Sequence, residues 1–351
     1  MRIALVSTPF VAVPPRDYGG TELVMYQLAE GLWARGHEVT LFATGDSRTR
    51  ARLVWYYDTA KWPPDPLTEL THLSRALAHA QRAGYDVVHC QQPGAVAMSR
   101  FLPETPMVYT LHHPRDEVLS AYYRHYPRVW YVAISERQRE LEVDLPRMTV
   151  IHHGLDASVY DGPTRAGDYV CFIGRLSRVK GPHTAIDVAE RAGIRIRVAG
   201  AIHDDDDDPG YVDRELRPRL ARPHVEYLGP IGLQRKAQLL RNAWALLTPI
   251  EWEEPFGLVL VEAMLAGCPV VAFPRGSATE LIEPGVTGFL ARDADEMADI
   301  VRNRLSGFDR ERCRALAAAR FGRDRMVDAY EAYYRRAIDA APRSGALQST
   351  S

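Results

Sequence analysis

Glu254-Pro255-Phe256-Gly257-Leu258-Val259-Leu260-Val261-Glu262, continued by Ala263-Met264-Leu265-Ala266-Gly267, decides how this chain is read. It is the end of a loop running into a helix, Leu258–Ala266. Leu258, Leu260, Val261 and Met264 make that helix mostly buried. Glu254 stands at or before the helix start and Glu262 inside it, about two turns along and roughly 80° off one face. Two carboxylates so placed can hold hydroxyls along a ligand. The amides of Gly257, Leu258 and Val259 point outward at the helix start, where unbonded donors and the helix dipole favour phosphate. The plainer reading is a helix-start carboxylate and a solvated face residue, and the apolar surroundings weigh against it.

Working outward, short apolar strands alternate with helix-period segments along the whole chain. Ile3–Ser7, His37–Ala43, Asp86–His89, Val108–Leu111 and Val129–Ala133 read as strands, with Thr21–Arg35 as a helix. The pattern restarts with strands at Tyr169–Ile173, Ile194–Ala199, Val225–Leu228, Ala245–Leu247 and Pro269–Phe273. Helices Pro182–Ala192 and Gln234–Arg241 lie between them. Many strands are continuous apolar runs, which indicates parallel sheets covered on both faces. The length of 351 residues exceeds one core, so two doubly wound α/β domains are expected. The polar segment Asp156–Asp168 marks the boundary. The expected domains are 1–160 and 161–323, followed by a helix over 324–341 and a disordered tail over 342–351.

A net charge of −2 gives no reason to expect nucleic acid or an anionic membrane as partner. No run of about 18 apolar residues is present, and the N-terminal run is too short for a signal core. The four cysteines, Cys90, Cys171, Cys268 and Cys313, lack metal spacing, and a reducing, cytoplasmic setting is expected. Only three basic residues are lysines, Lys61, Lys180 and Lys236, so each merits a local reason.

One of them lies in Gly174-Arg175-Leu176-Ser177-Arg178-Val179-Lys180-Gly181, after the first strand of the second half. Ligands bind open α/β sheets at the carboxyl ends of strands, and Arg175 and Lys180 would place two cations there. A basic solvated turn is the competing reading. Gly19 and Gly20, in Tyr18-Gly19-Gly20-Thr21-Glu22, permit close backbone approach to a ligand. His112, in Thr110-Leu111-His112-His113-Pro114, sits at a strand end where it can bond a hydroxyl or share a proton.

Taken together these segments resemble the retaining glycosyltransferases of family four, over roughly Met1 to Tyr334. Val132–Glu136 and Ile151–Asp156 are similar to further segments of that family. The resemblance implies the GT-B fold: two facing Rossmann-like domains and a C-terminal helix crossing back to the first. It implies a nucleotide-sugar donor held mainly by the second domain. Arg175 and Lys180 would neutralise the diphosphate, with the Leu258 and Val259 amides and the close approach at Gly19 and Gly20. Glu254, Phe256 and Gly257 would hold the transferred sugar, and Glu262 the ribose. His112, with Glu254, would serve catalysis by lining the sugar site.

The implied reaction is retaining, metal-independent transfer of a hexose, from UDP-glucose first and GDP-mannose second, to a hydroxyl of a small molecule or glycan. No cofactor is expected. The run Asp204–Asp208 is the obvious metal candidate but reads better as a solvated loop. The chain departs from the family at His153, where Asn is frequent before Gly154, and at His113-Pro114, where an acidic residue often follows the strand-end His. Both departures lie on the acceptor side. Acceptor contacts are expected from Tyr57–Pro66 and His112–Tyr126, with Trp62, Tyr122, Tyr123 and Tyr126 stacking or simply packing. A catalytically idle nucleotide-sugar binder is the alternative. An NAD-dependent dehydrogenase is disfavoured, because neither first strand is followed by GxGxxG.

Overall fold

A computed structural model describes residues 1–16, 19–164, 166–203 and 208–341. Tyr18, Asp204–Asp207 and the tail over 342–351 fall outside the described residues. The chain divides into two units, Met1–Gly154 with the segment from Arg323 onward, and Leu155–Gly322.

The first unit holds seven parallel strands: β1 (Arg2–Val6), β2 (Glu38–Ala43), β3 (Arg52–Trp55), β4 (Val87–Cys90), β5 (Met107–Thr110), β6 (Trp130–Ala133) and β7 (Met148–Val150). Their order is β3-β2-β1-β4-β5-β6-β7. The second holds β8 (Tyr169–Ile173), β9 (Arg195–Ala199), β10 (Val225–Gly229), β11 (Leu246–Thr248), β12 (Val270–Ala272) and β13 (Gly288–Leu290), ordered β10-β9-β8-β11-β12-β13. Both are α/β units of Rossmann type, and the strand order reverses beside β1 in one and beside β8 in the other.

Burial follows position in the sheet. β4, β5, β6, β11 and β12 are buried at every residue, whereas the edge strands β3 and β10 are partly exposed. Continuous apolar runs are therefore the central strands, covered on both faces. The mixed edge segments carry no such signal, and β3, β7 and β13 were not among the expected strands. A further unexpected element is the helix Pro66–Ala83. Asp65 caps it, accepting from Thr68 N at 2.9 Å, and Pro66 occupies its first position, where no N–H is needed. The Pro-rich stretch Trp62–Asp65 lies outside regular structure, and only its last proline, Pro66, enters the helix.

The expected domain boundary after residue 160 falls six residues late. The turn Ala157–Tyr160 belongs to the second unit, because the Tyr160 hydroxyl donates to Glu262 Oε1 at 3.0 Å. The last helix runs Arg323–Asp339, one residue earlier than expected at its start, and lies in the first unit. Val327 fills the space over Gly31, where a Cβ would come within 2.4 Å of Val327 Cγ2. Arg35 pairs with Asp328 at 2.6 Å and with Glu331 at 3.1 Å.

Candidate active site

In the second unit, the loops after β8 and β11 come together at the carboxyl ends of the strands flanking the switch point. Glu251 N donates to Val179 O at 2.9 Å, joining the two loops. Gly181 has φ +74°, and a Cβ there would stand 2.2 Å from Pro249 O, so the basic turn is pressed onto the end of β11. On the other side Ser277 N donates to Glu254 O at 3.0 Å, and a Cβ on Gly276 would meet Glu254 N at 2.3 Å. The backbone of Glu254 is thus fixed from both directions.

The side chains follow. Lys180 Nζ and Glu254 Oε2 form an ion pair, each side chain 15% exposed. Trp252 Nε1 also donates to Glu254 Oε2, at 2.8 Å. Glu262 is only 2% exposed, pairs with Lys236 Nζ at 2.5 Å and accepts from Tyr160. Two of the three lysines in the chain therefore hold the two signature glutamates. Arg175 sits past the end of β8, and its Nε is buried with no partner among the described residues. Gly257 caps the helix Leu258–Leu265, which leaves the Leu258 and Val259 amides in its first turn, where a helix supplies no internal acceptor. Glu254 lines a small pocket with Thr248, Ile250 and Arg275.

The Phe256 side chain lies in the core. It is 2% exposed and its ring packs edge-on against Phe321 at 6.3 Å, turned away from solvent. The backbone carbonyl already accepts from Ser277 Oγ at 2.5 Å.

In the first unit, Gly20 opens the helix Gly20–Ala34 and Gly19 precedes it. A Cβ on Gly19 would meet Pro15 Cβ and Glu22 Oε2, both at 2.9 Å. The Glu22 carboxylate is buried, accepts from Thr8 Oγ1 at 2.7 Å and has its pKa raised by that burial. His112 follows β5 and stacks on His153, with centroids 5.3 Å apart and planes 20° apart. Burial and the neighbouring His113 push His112 down to about 3, so it is a neutral imidazole at physiological pH. Its Nε2 is buried with no hydrogen-bond partner among the described residues.

A buried chain behind it was missed from the sequence. His89 Nδ1 is bonded to the Tyr334 hydroxyl at 2.6 Å and Nε2 to Thr110 Oγ1 at 2.8 Å, and Thr110 is bonded to the Tyr330 hydroxyl at 2.9 Å. Tyr330, Tyr333 and Tyr334 stand on one side of the last helix, three and four residues apart. The histidine that Tyr334 meets, 245 residues away, carries no such local pattern.

The acceptor aromatics divide. Tyr123 is fully buried and bonded to Tyr109 and His113. The Tyr122 hydroxyl is used by Ala97 N and Pro93 O. Both pack, while Trp62 is 74% exposed. Among the described residues no group of three or more His, Cys, Asp or Glu is placed to hold a metal, and no helix is long and apolar enough to cross a membrane. Asp208 pairs with Arg178 and Arg214.

Two Rossmann-type sheets, each with polar residues gathered at strand ends, match the architecture of GT-B glycosyltransferases. Residues 18–159 match the model of glycosyltransferase family 4, and residues 164–318 that of glycosyl transferases group 1. The chain belongs to this family of glycosyltransferases. It is 27% identical to the phosphatidyl-myo-inositol mannosyltransferase of Mycobacterium tuberculosis, over 83% of this chain and 82% of that one. It is 28% identical to the D-inositol 3-phosphate glycosyltransferase of Mycolicibacterium paratuberculosis, over 96% and 90%. Among solved structures it resembles AviGT4, a glycosyltransferase involved in avilamycin A biosynthesis (TM-score 0.78, 25% identity, 97% and 99% covered). Its fold also matches Anabaena Alr3699/HepE, solved with UDP and glucose (TM-score 0.75, 21% identity, 96% and 100% covered).

Proposed function

We propose that this enzyme transfers a hexose from a nucleoside-diphosphate sugar to a hydroxyl acceptor, with retention and without a metal. UDP-glucose is the first donor to test and GDP-mannose the second. The observation that carries the reading is the pairing of Lys180 with Glu254 at the carboxyl ends of β8 and β11. A leaving nucleoside diphosphate gains negative charge as the glycosidic bond breaks. Lys180, Arg175 and the helix-end amides can stabilise that charge as fixed groups. Glu254 and Glu262 accept hydrogen bonds from hydroxyls of sugar and ribose. In the first unit, neutral His112 can donate to or accept from a hydroxyl while carrying no charge.

HepE was solved with UDP and glucose, which supports the first donor, and the mycobacterial mannosyltransferase supports the second. Both mycobacterial relatives have an inositol compound in their names, so a cyclic polyol hydroxyl is the first acceptor to try. A thermal-shift screen over nucleotide sugars, followed by release of nucleoside diphosphate with and without acceptor, tests the reading. Stabilisation and turnover by one donor are expected. Binding of a donor with no turnover across a broad acceptor panel would favour an idle binder instead.

A further inference from the structure

The Lys180–Glu254 pair has a third member outside the motifs. The Trp252 indole touches both charges with different parts of one ring system. Its Nε1–H edge donates to Glu254 Oε2, and its face lies 4.8 Å from Lys180 Nζ. An ammonium over an indole face is attracted by the ring quadrupole. The link is short and stiff, since Glu254 N also donates to Trp252 O at 3.0 Å.

The two donors converge on one carboxylate oxygen. Both Lys180 Nζ and Trp252 Nε1 use Oε2, and Oε1 takes no hydrogen bond among the described residues. That leaves an acceptor oxygen of a part-buried, oriented carboxylate available to a ligand. The ammonium, by contrast, is spent on neutralising Oε2 and supported from below by the ring.

We propose that Trp252 is a positioning residue that seats Lys180 and Glu254 as a neutralised pair before the donor enters, and that the pair then opens by exchange of partners. Nζ moves from Oε2 to the diphosphate oxygens, where more negative charge awaits it. The indole N–H stays on Oε2 and keeps the carboxylate from following, with Oε1 presented to a hydroxyl of the transferred sugar. Lysine suits this exchange because it is a rotatable point charge, whereas an arginine fork would clamp the carboxylate with two bonds. The proposal rests on the donor reading given above and adds a residue and a sequence of contacts to it.

The test exploits the three lysines. Reductive ¹³C-methylation of the full chain gives three lysine signals, assigned by Lys→Arg variants. The Lys180 signal should carry the ring-current shift of Trp252. Trp252→Leu should move it toward free dimethyl-lysine, and Trp252→Phe, which keeps an aromatic face, should preserve much of the shift. Added UDP or GDP should move the Lys180 signal and leave that of Lys61 in place.

In kinetics Trp252→Phe loses the N–H on Oε2, with part of the ring system, and keeps an aromatic face. It should lower kcat for the donor sugar about tenfold, the usual scale for one hydrogen bond to a charged group, while the Kd for UDP or GDP changes less than twofold. A merely structural role would instead lower thermal stability and shift both alike. An unmoved Lys180 signal in Trp252→Leu overturns the seating. A Lys180 signal indifferent to nucleotide in an enzyme that turns over overturns the exchange. If the wild type neither turns over nor shows a nucleotide-dependent Lys180 shift, the donor reading itself fails, while the effect of Trp252→Leu still decides whether the seat exists.

Discussion

The two units use the same sheet architecture to opposite electrostatic ends. In the second unit charged side chains meet opposite charges: Lys180 with Glu254 beyond the ends of β8 and β11, and Lys236 with Glu262 between two helices. In the first unit buried histidines are held neutral. His89, His112 and His72 are pushed down to about 3, 3 and 4 by burial, and His153 well below its ordinary value. Hydroxyls rather than counter-ions satisfy His89. The difference teaches that one sheet architecture can bury titratable groups either as ion pairs or as neutral rings. It also yields experiments that treat the two differently.

The largest expected effect is on the charged side. Glu254→Ala or Lys180→Ala should reduce donor turnover by about 10²–10³, the scale of losing one preorganised electrostatic contact. Thermal stability should fall little, since both side chains keep some solvent contact. Full turnover in either folded variant would remove this pair from the site. Lys236→Met should act the other way round, on stability first. It strands the Glu262 carboxylate in a buried place with only the Tyr160 hydroxyl, at a cost of about 3 kcal/mol. Hydrogen exchange across Leu155–Gly322 should rise, while Met1–Gly154 stays protected. Lys236→Met with Glu262→Gln should recover most of the loss.

Acid should break the neutral side first. A histidine buried neutral has a folded pKa below its unfolded value of about 6.5. The unfolded chain therefore binds protons that the folded one refuses, and stability falls as pH drops from about 6.5 toward the folded value. Each such group contributes up to about 1.4 kcal/mol per pH unit in that window. Lowered values occur at His72, His79, His89, His112 and His153 in the first unit, against His183 in the second. Between pH 7 and 5.5, exchange protection should fall mainly in the first unit. Glu331, held at about 2 by Arg335 and Arg35, stays ionised throughout and does not mask the effect. Equal loss in both units would contradict the contrast.

Sequence carried the class of fold and the two glutamates, because both depend on local pattern. Continuous apolar runs marked the central strands, and Glu254 and Glu262 lie within one loop–helix segment. The edge strands β3 and β13 were hidden by the mixed character that edges have. The helix at Pro66 was hidden because its start signal, Asp65-Pro66, sits in a stretch that also reads as a turn. Partnerships were illegible for a different reason. Lys180 and Glu254 are 74 residues apart and meet only because β8 and β11 are neighbours in the sheet. Phe256 lies inside the same segment, but its ring serves the core.

The smallest expected effect probes the join between the last helix and the neutral network. Tyr334 and Tyr330 reach His89 and Thr110, so the helix Arg323–Asp339 supplies hydrogen bonds that the sheet lacks on its own. Tyr334→Phe keeps the ring and its packing and leaves His89 Nδ1 buried without a partner. The loss should be about 1–2 kcal/mol, the cost of one unsatisfied buried polar group. It should appear as a lower urea midpoint and as increased exchange in Val87–Cys90 and Arg323–Asp339 together. The Lys180–Glu254 pair has no part in this network, so the Lys180 signal should be unchanged. Exchange confined to the helix, with Val87–Cys90 unaffected, would mean that the hydroxyl holds the helix alone and that His89 is kept neutral by its apolar surroundings.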